Sequence, residues 1–161
     1  MNKTYTYNKT HYFIRVTFVG IFAIFMLGFG IYYFFKTAAL MYLGLIGIAS
    51  YIIFETFITC ANPNTVIISD EGIIFKDNLH EDVYKWDEIK DFNVRQFPRR
   101  EEVYILINKD DFKLFKGRYW VFCYYFNDKK ELYDYLVKKE IEINPNSYKN
   151  RNNRSKAEKK K

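Results

Sequence analysis

The chain has 161 residues, 49% of them hydrophobic and 20% aromatic, with 25 Lys and Arg against 19 Asp and Glu for a net charge of +6. Its length allows about one modest globular domain, and its two cysteines exclude a disulfide framework. The charge is not spread evenly: residues 144–161 hold Lys149, Arg151, Arg154, Lys156, Lys159, Lys160 and Lys161 against Glu158, which accounts for the whole +6 and excludes a basic body as its source.

Met1–His11 is polar and reads as a poorly ordered tail, residues 1–12, with Tyr5, Tyr7 and Tyr12 approaching an apolar boundary. Val16–Phe35 (VTFVGIFAIFMLGFGIYYFF) then carries no charge; about 20 helical residues cross a hydrocarbon core of roughly 30 Å. Lys36 interrupts the run. Thr37–Phe54 (TAALMYLGLIGIASYIIF) is again uncharged, and Glu55 closes it. Two such runs around so short a bend predict an antiparallel transmembrane hairpin over residues 13–58, helical because lipid offers the backbone no hydrogen-bond partner. Gly44, Gly47 and Ser50 recur at every third position, a spacing that lets helices approach closely. Tyr32, Tyr33 and Tyr42 near the bend suit an interfacial belt. The first run is too long for the apolar core of a secretory leader, and no small-x-small cleavage site ends it. Lys3, Lys9 and Arg15 precede the hairpin while Lys36 alone lies in its bend. That distribution places both termini in the cytoplasm of a multi-pass cell (inner) membrane protein.

Asn62-Pro63-Asn64 ends the second helix, since proline cannot continue it, and a domain over residues 62–143 follows. β-Branched and alternating runs predict strands at Thr65–Ser69, Ile73–Lys76, Val83–Trp86, Asp91–Gln96, Glu102–Asn108, Phe112–Phe115 and Tyr119–Phe126. Asp70-Glu71-Gly72 reads as a hairpin turn in which glycine supplies positive φ, and Asp87-Glu88-Ile89 as a tight helical turn. After Phe126 the hydrophobic period changes to that of a helix. Asp128 and Glu131 have capping-box spacing. Leu132, Tyr135, Leu136 and Lys139 share one face, so a helix over Asp128–Lys139 covers the open end of the sheet. Residues 144–161 hold almost no apolar side chain and are expected to be disordered.

Antiparallel strands closed by one C-terminal helix resemble a pleckstrin-homology (PH) fold. Ile67-Ile68-Ser69-Asp70-Glu71-Gly72-Ile73 followed by Trp86-Asp87-Glu88-Ile89 resembles the bacterial PH-like pattern, in which a small hydroxyl residue, acidic residues, glycine and isoleucine precede tryptophan, an acidic pair and isoleucine. Such proteins commonly carry two membrane helices ahead of the domain, and the resemblance covers residues 13–140. It implies a membrane α-helical hairpin followed by a mainly-β PH-like barrel or sandwich closed by one C-terminal α-helix. It also implies that Trp86 plugs the core and Ile89 anchors its turn. Eukaryotic members bind phosphoinositides through basic residues between the first two strands; here that turn is acidic.

Nucleophilic catalysis needs a nucleophile, a base and an orienting group, and metal sites need clustered ligands. His11, His80, Cys60 and Cys123 are dispersed, there is no glycine-rich phosphate loop, and the paired carboxylates all fall at turns. No enzyme activity, cofactor or metal is expected. Arg95, Arg99 and Arg100, and Lys113, Lys116 and Arg118 beside Tyr119 and Trp120, are candidate contacts with anionic lipid headgroups. Lys159, Lys160 and Lys161 of the tail are candidates too, since each basic residue near an anionic leaflet contributes about 1 kcal/mol. Lipid is the nearest polyanion, so nucleic acid is not expected as a partner. The expected function is a non-enzymatic binding or scaffolding module at the membrane surface, with a membrane or cytoplasmic protein partner. The alternative is an immunity or regulatory subunit that acts through its hairpin on another membrane protein.

Overall fold

Both uncharged runs are helical. In the computed structural model, which describes residues 2–97, 99, 101–108 and 116–145, they form α1 (Lys9–Thr37) and α2 (Met41–Ile58), each long and apolar enough to cross a membrane. Ala38, in the left-handed region, ends α1 by donating its N–H to the Phe34 carbonyl. In the most apolar windows of the two helices only 22% and 6% of residues are buried. Phe25, Phe35, Leu40 and Met41 point outward.

The helices meet through small residues, but not those whose spacing suggested it. A Cβ on Gly20 would fall 2.5 Å from the Thr56 methyl, and one on Gly30 would fall 3.0 Å from Ile46. Ala23 and Ala49 are buried in the same seam. Gly44 and Gly47 have nothing within 4 Å of an added Cβ, and Ser50 is exposed. Regular spacing puts residues on one face; bulkier neighbours decide which face the partner helix takes.

The N-terminal segment is not a loose tail. β1 (Lys3–Thr6) pairs antiparallel with β2 (Thr65–Ile68), Tyr5 opposite Val66. Tyr5 and Tyr7 are buried, at 2% and 5% exposure. The strand that opens the domain therefore precedes the hairpin, and the rest of the domain follows it. β2, β3 (Gly72–Lys76) and β4 (Glu81–Lys85) continue a four-stranded antiparallel sheet in the order β1-β2-β3-β4. β5 (Phe92–Phe97), β6 (Glu102–Ile107) and β7 (Arg118–Val121) form a second, three-stranded sheet. The two sheets do not close into a barrel. Val66, Ile73, Phe75, Phe92, Val94, Val103, Ile105, Tyr119 and Val121 fill the space between them. The expected strand Phe112–Phe115 lies outside the described residues, as does the tail beyond residue 145.

The expected long strand Tyr119–Phe126 is cut short. β7 ends at Val121, and Cys123–Tyr125 turns as a 3-10 helix. That turn returns the chain to β1: Asn8 N–H donates to the Tyr125 carbonyl at 2.9 Å and Asn127 N–H to that of Thr6 at 3.1 Å. Local preference for an aromatic strand yields to pairing with the N-terminal segment.

α3 (Lys129–Ile143) closes the domain, one turn longer than its periodicity suggested. Leu132 and Leu136 enter the core. Buried Glu140 accepts the N–H of Val94 at 3.2 Å, and the Asn144 amide donates to the Phe92 carbonyl at 3.0 Å. The helix thereby satisfies polar groups on the edge strand β5. No capping box forms. Asp128 is in the left-handed region without a side-chain cap, and Glu131 turns instead to β1, accepting from Lys3 Nζ and, at 3.1 Å, from the Tyr5 hydroxyl. The Lys3 hydrogen bond holds the Glu131 carboxyl below its ordinary value.

Trp86 is half-buried against the core. Its indole N–H donates to the Ser69 carbonyl at 3.0 Å, and its main-chain N–H donates to that of Glu71 at 3.0 Å. The two halves of the sequence pattern are thus joined by two hydrogen bonds. Ile89 is buried behind the turn.

Candidate membrane-facing surface

Alternation along the second sheet sorts its side chains onto two faces. Val94, Val103, Ile105, Tyr119 and Val121 point into the core. Arg95, Tyr104 and Trp120 lie opposite one another across β5, β6 and β7, with Leu106 opposite Arg118, and these project outward. The Tyr104 and Trp120 rings are 4.5 Å apart, Phe97 is 5.9 Å from Trp120, and the Arg95 guanidinium lies 5.5 Å from the Phe97 ring. The result is an aromatic patch with an arginine on either side.

This face lies beside the roots of both hairpin helices. Glu102, on the outward side of β6 and only 8% exposed, pairs with Arg15 of α1 at 3.7 Å. Arg15 also packs over the rings of Tyr125 and Phe122, at 4.8 and 5.6 Å. Tyr104 is within electrostatic reach of Glu55, one turn before the end of α2. Burial raises the Tyr104 phenol above its ordinary value, opposed by Arg118 and aided by Glu55. The chain leaving α2 runs along β7, where Trp120 N–H donates to the Ala61 carbonyl at 2.7 Å. Tyrosine, tryptophan and arginine are among the residues that settle at bilayer interfaces.

Among the expected headgroup contacts, Arg95 and Arg118 lie on this face, and Arg99 is exposed in the turn between β5 and β6. Lys116 is elsewhere, paired with buried Asp82 at 3.1 Å. Arg100, Lys113, Lys159, Lys160 and Lys161 lie outside the described residues. Sequence reasoning missed Phe97, Tyr104, Leu106 and the Arg15–Glu102 pair. The alternation Glu102, Tyr104, Leu106 was the available signal for the β6 members.

Asp82 belongs to a buried cluster that ties β4 to β7. The Tyr119 hydroxyl donates to Asp82 at 2.8 Å, shares a hydrogen bond with Tyr84 at 2.6 Å and accepts from Gly117 N–H at 3.2 Å. Its ring stacks on Phe75, centroids 4.0 Å apart. With its partners in place the cluster is a strut between sheets. Tyr119→Phe strands the Tyr84 and Gly117 groups and removes one partner of Asp82. The expected cost is about 2 kcal/mol, read as a lower denaturation midpoint at unchanged slope.

Burial also makes the fold sensitive to alkali. It pushes Tyr5 and Tyr84 up to about 12 and Tyr7 and Tyr119 further up, against about 10 in an unfolded chain. A raised phenol leaves stability intact below pH 10, and stability drains away as pH climbs toward 12, because only the unfolded chain ionises freely there. Cooperative unfolding with onset above about pH 10 is expected, together with a burst of phenolate absorbance. A gradual rise in absorbance without loss of structure contradicts it.

Among the described residues, no group of three or more His, Cys, Asp or Glu is placed to hold a metal ion. No protein-family model, curated protein or solved structure matches the chain.

Proposed function

We propose that the chain is a two-span membrane protein whose remaining residues form one PH-like domain, held at the cytoplasmic surface as a non-enzymatic binding or scaffolding module. One observation carries the reading: β1 precedes the hairpin and pairs with β2, which follows it. A hairpin inserted between the first two strands of one domain must leave and return on the same side of the bilayer. Four plus three antiparallel strands and a closing helix support the PH-like assignment. The aromatic and arginine face beside the hairpin's roots supports contact between domain and bilayer. The excess of basic residues before the hairpin over its bend supports the cytoplasmic side.

Two measurements test this. In oriented vesicles, protease sites placed at residue 2 and after residue 145 are expected to be cut from the same, cytoplasmic side; protection of either one contradicts the topology. In nanodiscs containing brominated phospholipid, fluorescence of Trp120 in a Trp86→Phe background is expected to fall by at least about half, because the ring sits at headgroup level. Fluorescence unaffected by bromine places the face away from lipid.

A second reading, regulation of another membrane protein through the hairpin, is favoured by the outward position of Gly28, Gly44 and Gly47, each with open space where a side chain would be. Replacing both spans with an unrelated hairpin separates the two readings. The binding-module reading predicts retained partner capture in crosslinking, and the regulatory reading predicts its loss.

A further inference from the structure

A cleft of about 400 Å³ lies where α1 leaves the domain, within the roughly 300–1,000 Å³ of small-molecule sites. Its lining changes character along its length. Asn64, Thr65 and Asn78 contribute amides and a hydroxyl at the domain end; Lys9 stands in the first turn of α1; Phe13 and Thr17, one turn apart, follow on the helix. Phe13 is 52% exposed, and the uncharged run of α1 begins at Val16. The polar end thus faces the domain and the apolar end continues toward the hairpin.

We propose that this cleft binds a phospholipid: its phosphate is held by Lys9 and the amides of Asn64 and Asn78, and its acyl region lies along Phe13 and Thr17. The inference rests on the membrane placement proposed above. Among the described residues, Lys9 has no carboxylate partner, unlike Lys3, which pairs with Asp128 and Glu131, and Arg15, which pairs with Glu102. Lys9 is exposed at the cleft, and among the described residues no carboxylate competes with an anion for it. The acidic group on the Asn78 loop reaches the cleft wall at Tyr12 electrostatically, but its oxygens are engaged within that loop. The Asp77 carboxylate is buried and turned into its own loop, accepting from the N–H groups of Leu79 and His80 at 2.6 Å each and lying 3.4 Å from the His80 ring nitrogen. The two asparagines are already held together, with Asn64 Nδ2 donating to Asn78 Oδ1 at 2.7 Å, so the polar end needs little ordering on binding. Hydrocarbon beside Phe13 and phosphate beside Lys9 match a lipid, whereas a free phosphate would use only one end.

The test is native mass spectrometry of the full chain released from nanodiscs of phosphatidylcholine with about one-third phosphatidylglycerol, a content that gives the anionic surface basic residues respond to. The wild type is expected to retain one phosphatidylglycerol. Lys9→Gln should lower retention about fivefold, the scale of one basic residue at an anionic surface. Asn78→Trp, which fills the cleft from an exposed loop, should abolish it. Lys90→Gln, outside the cleft, should leave it unchanged. Excess inorganic phosphate should not displace the lipid. Equal retention by wild type and Lys9→Gln, equal loss in Lys90→Gln, or displacement by phosphate each overturns the proposal. Failure of the membrane placement looks different: the wild-type chain would then be monodisperse in detergent-free buffer and carry no lipid at all.

Discussion

Deletion of residues 2–7 is expected to unfold the domain. The segment contains β1 and places Tyr5 and Tyr7 in the core, at 2% and 5% exposure. Each buried aromatic ring contributes on the order of 3 kcal/mol when removed with the cavity it leaves. The deletion also strips the main-chain partners of β2, Asn64 and Asn127. The combined loss of roughly 5 kcal/mol or more consumes most of the 5–15 kcal/mol that keeps a typical domain folded. The expected result is a chain whose hairpin still partitions into detergent while the domain shows no cooperative melt and is rapidly degraded by protease. A variant carrying Lys3→Ala alone removes only exposed ion pairs and should melt within a few degrees of wild type. Wild-type melting of the truncated chain would mean that the N-terminal segment is an accessory and that the domain begins at β2.

The prediction concerns the part of the fold that was least legible. The hairpin could be read because the absence of charge over Val16–Phe35 and Thr37–Phe54 is a property of composition alone. β2, β3 and β6 could be read because Val66, Ile67, Ile68, Ile73, Ile74 and the run Val103–Ile107 favour strands locally. β1 could not. Its alternation Thr4, Tyr5, Thr6, Tyr7 is too short to stand out, and its partners, Thr65–Ile68 and Asn127, lie across the hairpin or at the far end of the domain. Glu131 shows the same limit from the other side: its capping-box spacing is sound, but Lys3 and Tyr5 outcompete the helix terminus for its carboxylate. At the candidate surface, Arg95 and Arg118 were visible as basic residues near turns. That they share a face with Tyr104 and Trp120 depends on a cross-strand register that no single strand encodes.

Gly72→Ala is expected to cost about 3 kcal/mol or more, at the upper end for forcing an atom into packed structure, and to lower the melting temperature by more than about 10 °C for a domain of this size. The reason is proximity. Gly72 pairs with Lys85 across β3 and β4, and a Cβ on it would lie 2.1 Å from the Tyr84 carbonyl oxygen and 3.0 Å from its carbon. No rotamer relieves a main-chain collision, so the strands must separate. Separation at that point loosens the hydrogen bonds from Trp86 to Glu71 and Ser69, the two bonds that join the halves of the sequence pattern. The conformational explanation suggested by the turn does not apply: among the described glycines only Gly117 has positive φ, at 85°. The two explanations part at Gly72→Asn. Asparagine tolerates the left-handed region better than alanine, so a conformational requirement would make Asn the milder change, whereas close approach makes it at least as damaging as Ala. Gly44→Ala provides the reference, because its added Cβ meets open space and should change stability by less than about 0.5 kcal/mol. Partial rescue by Asn, or a Gly72→Ala chain as stable as Gly44→Ala, would remove close strand contact as the reason that glycine stands between the acidic turn and Ile73.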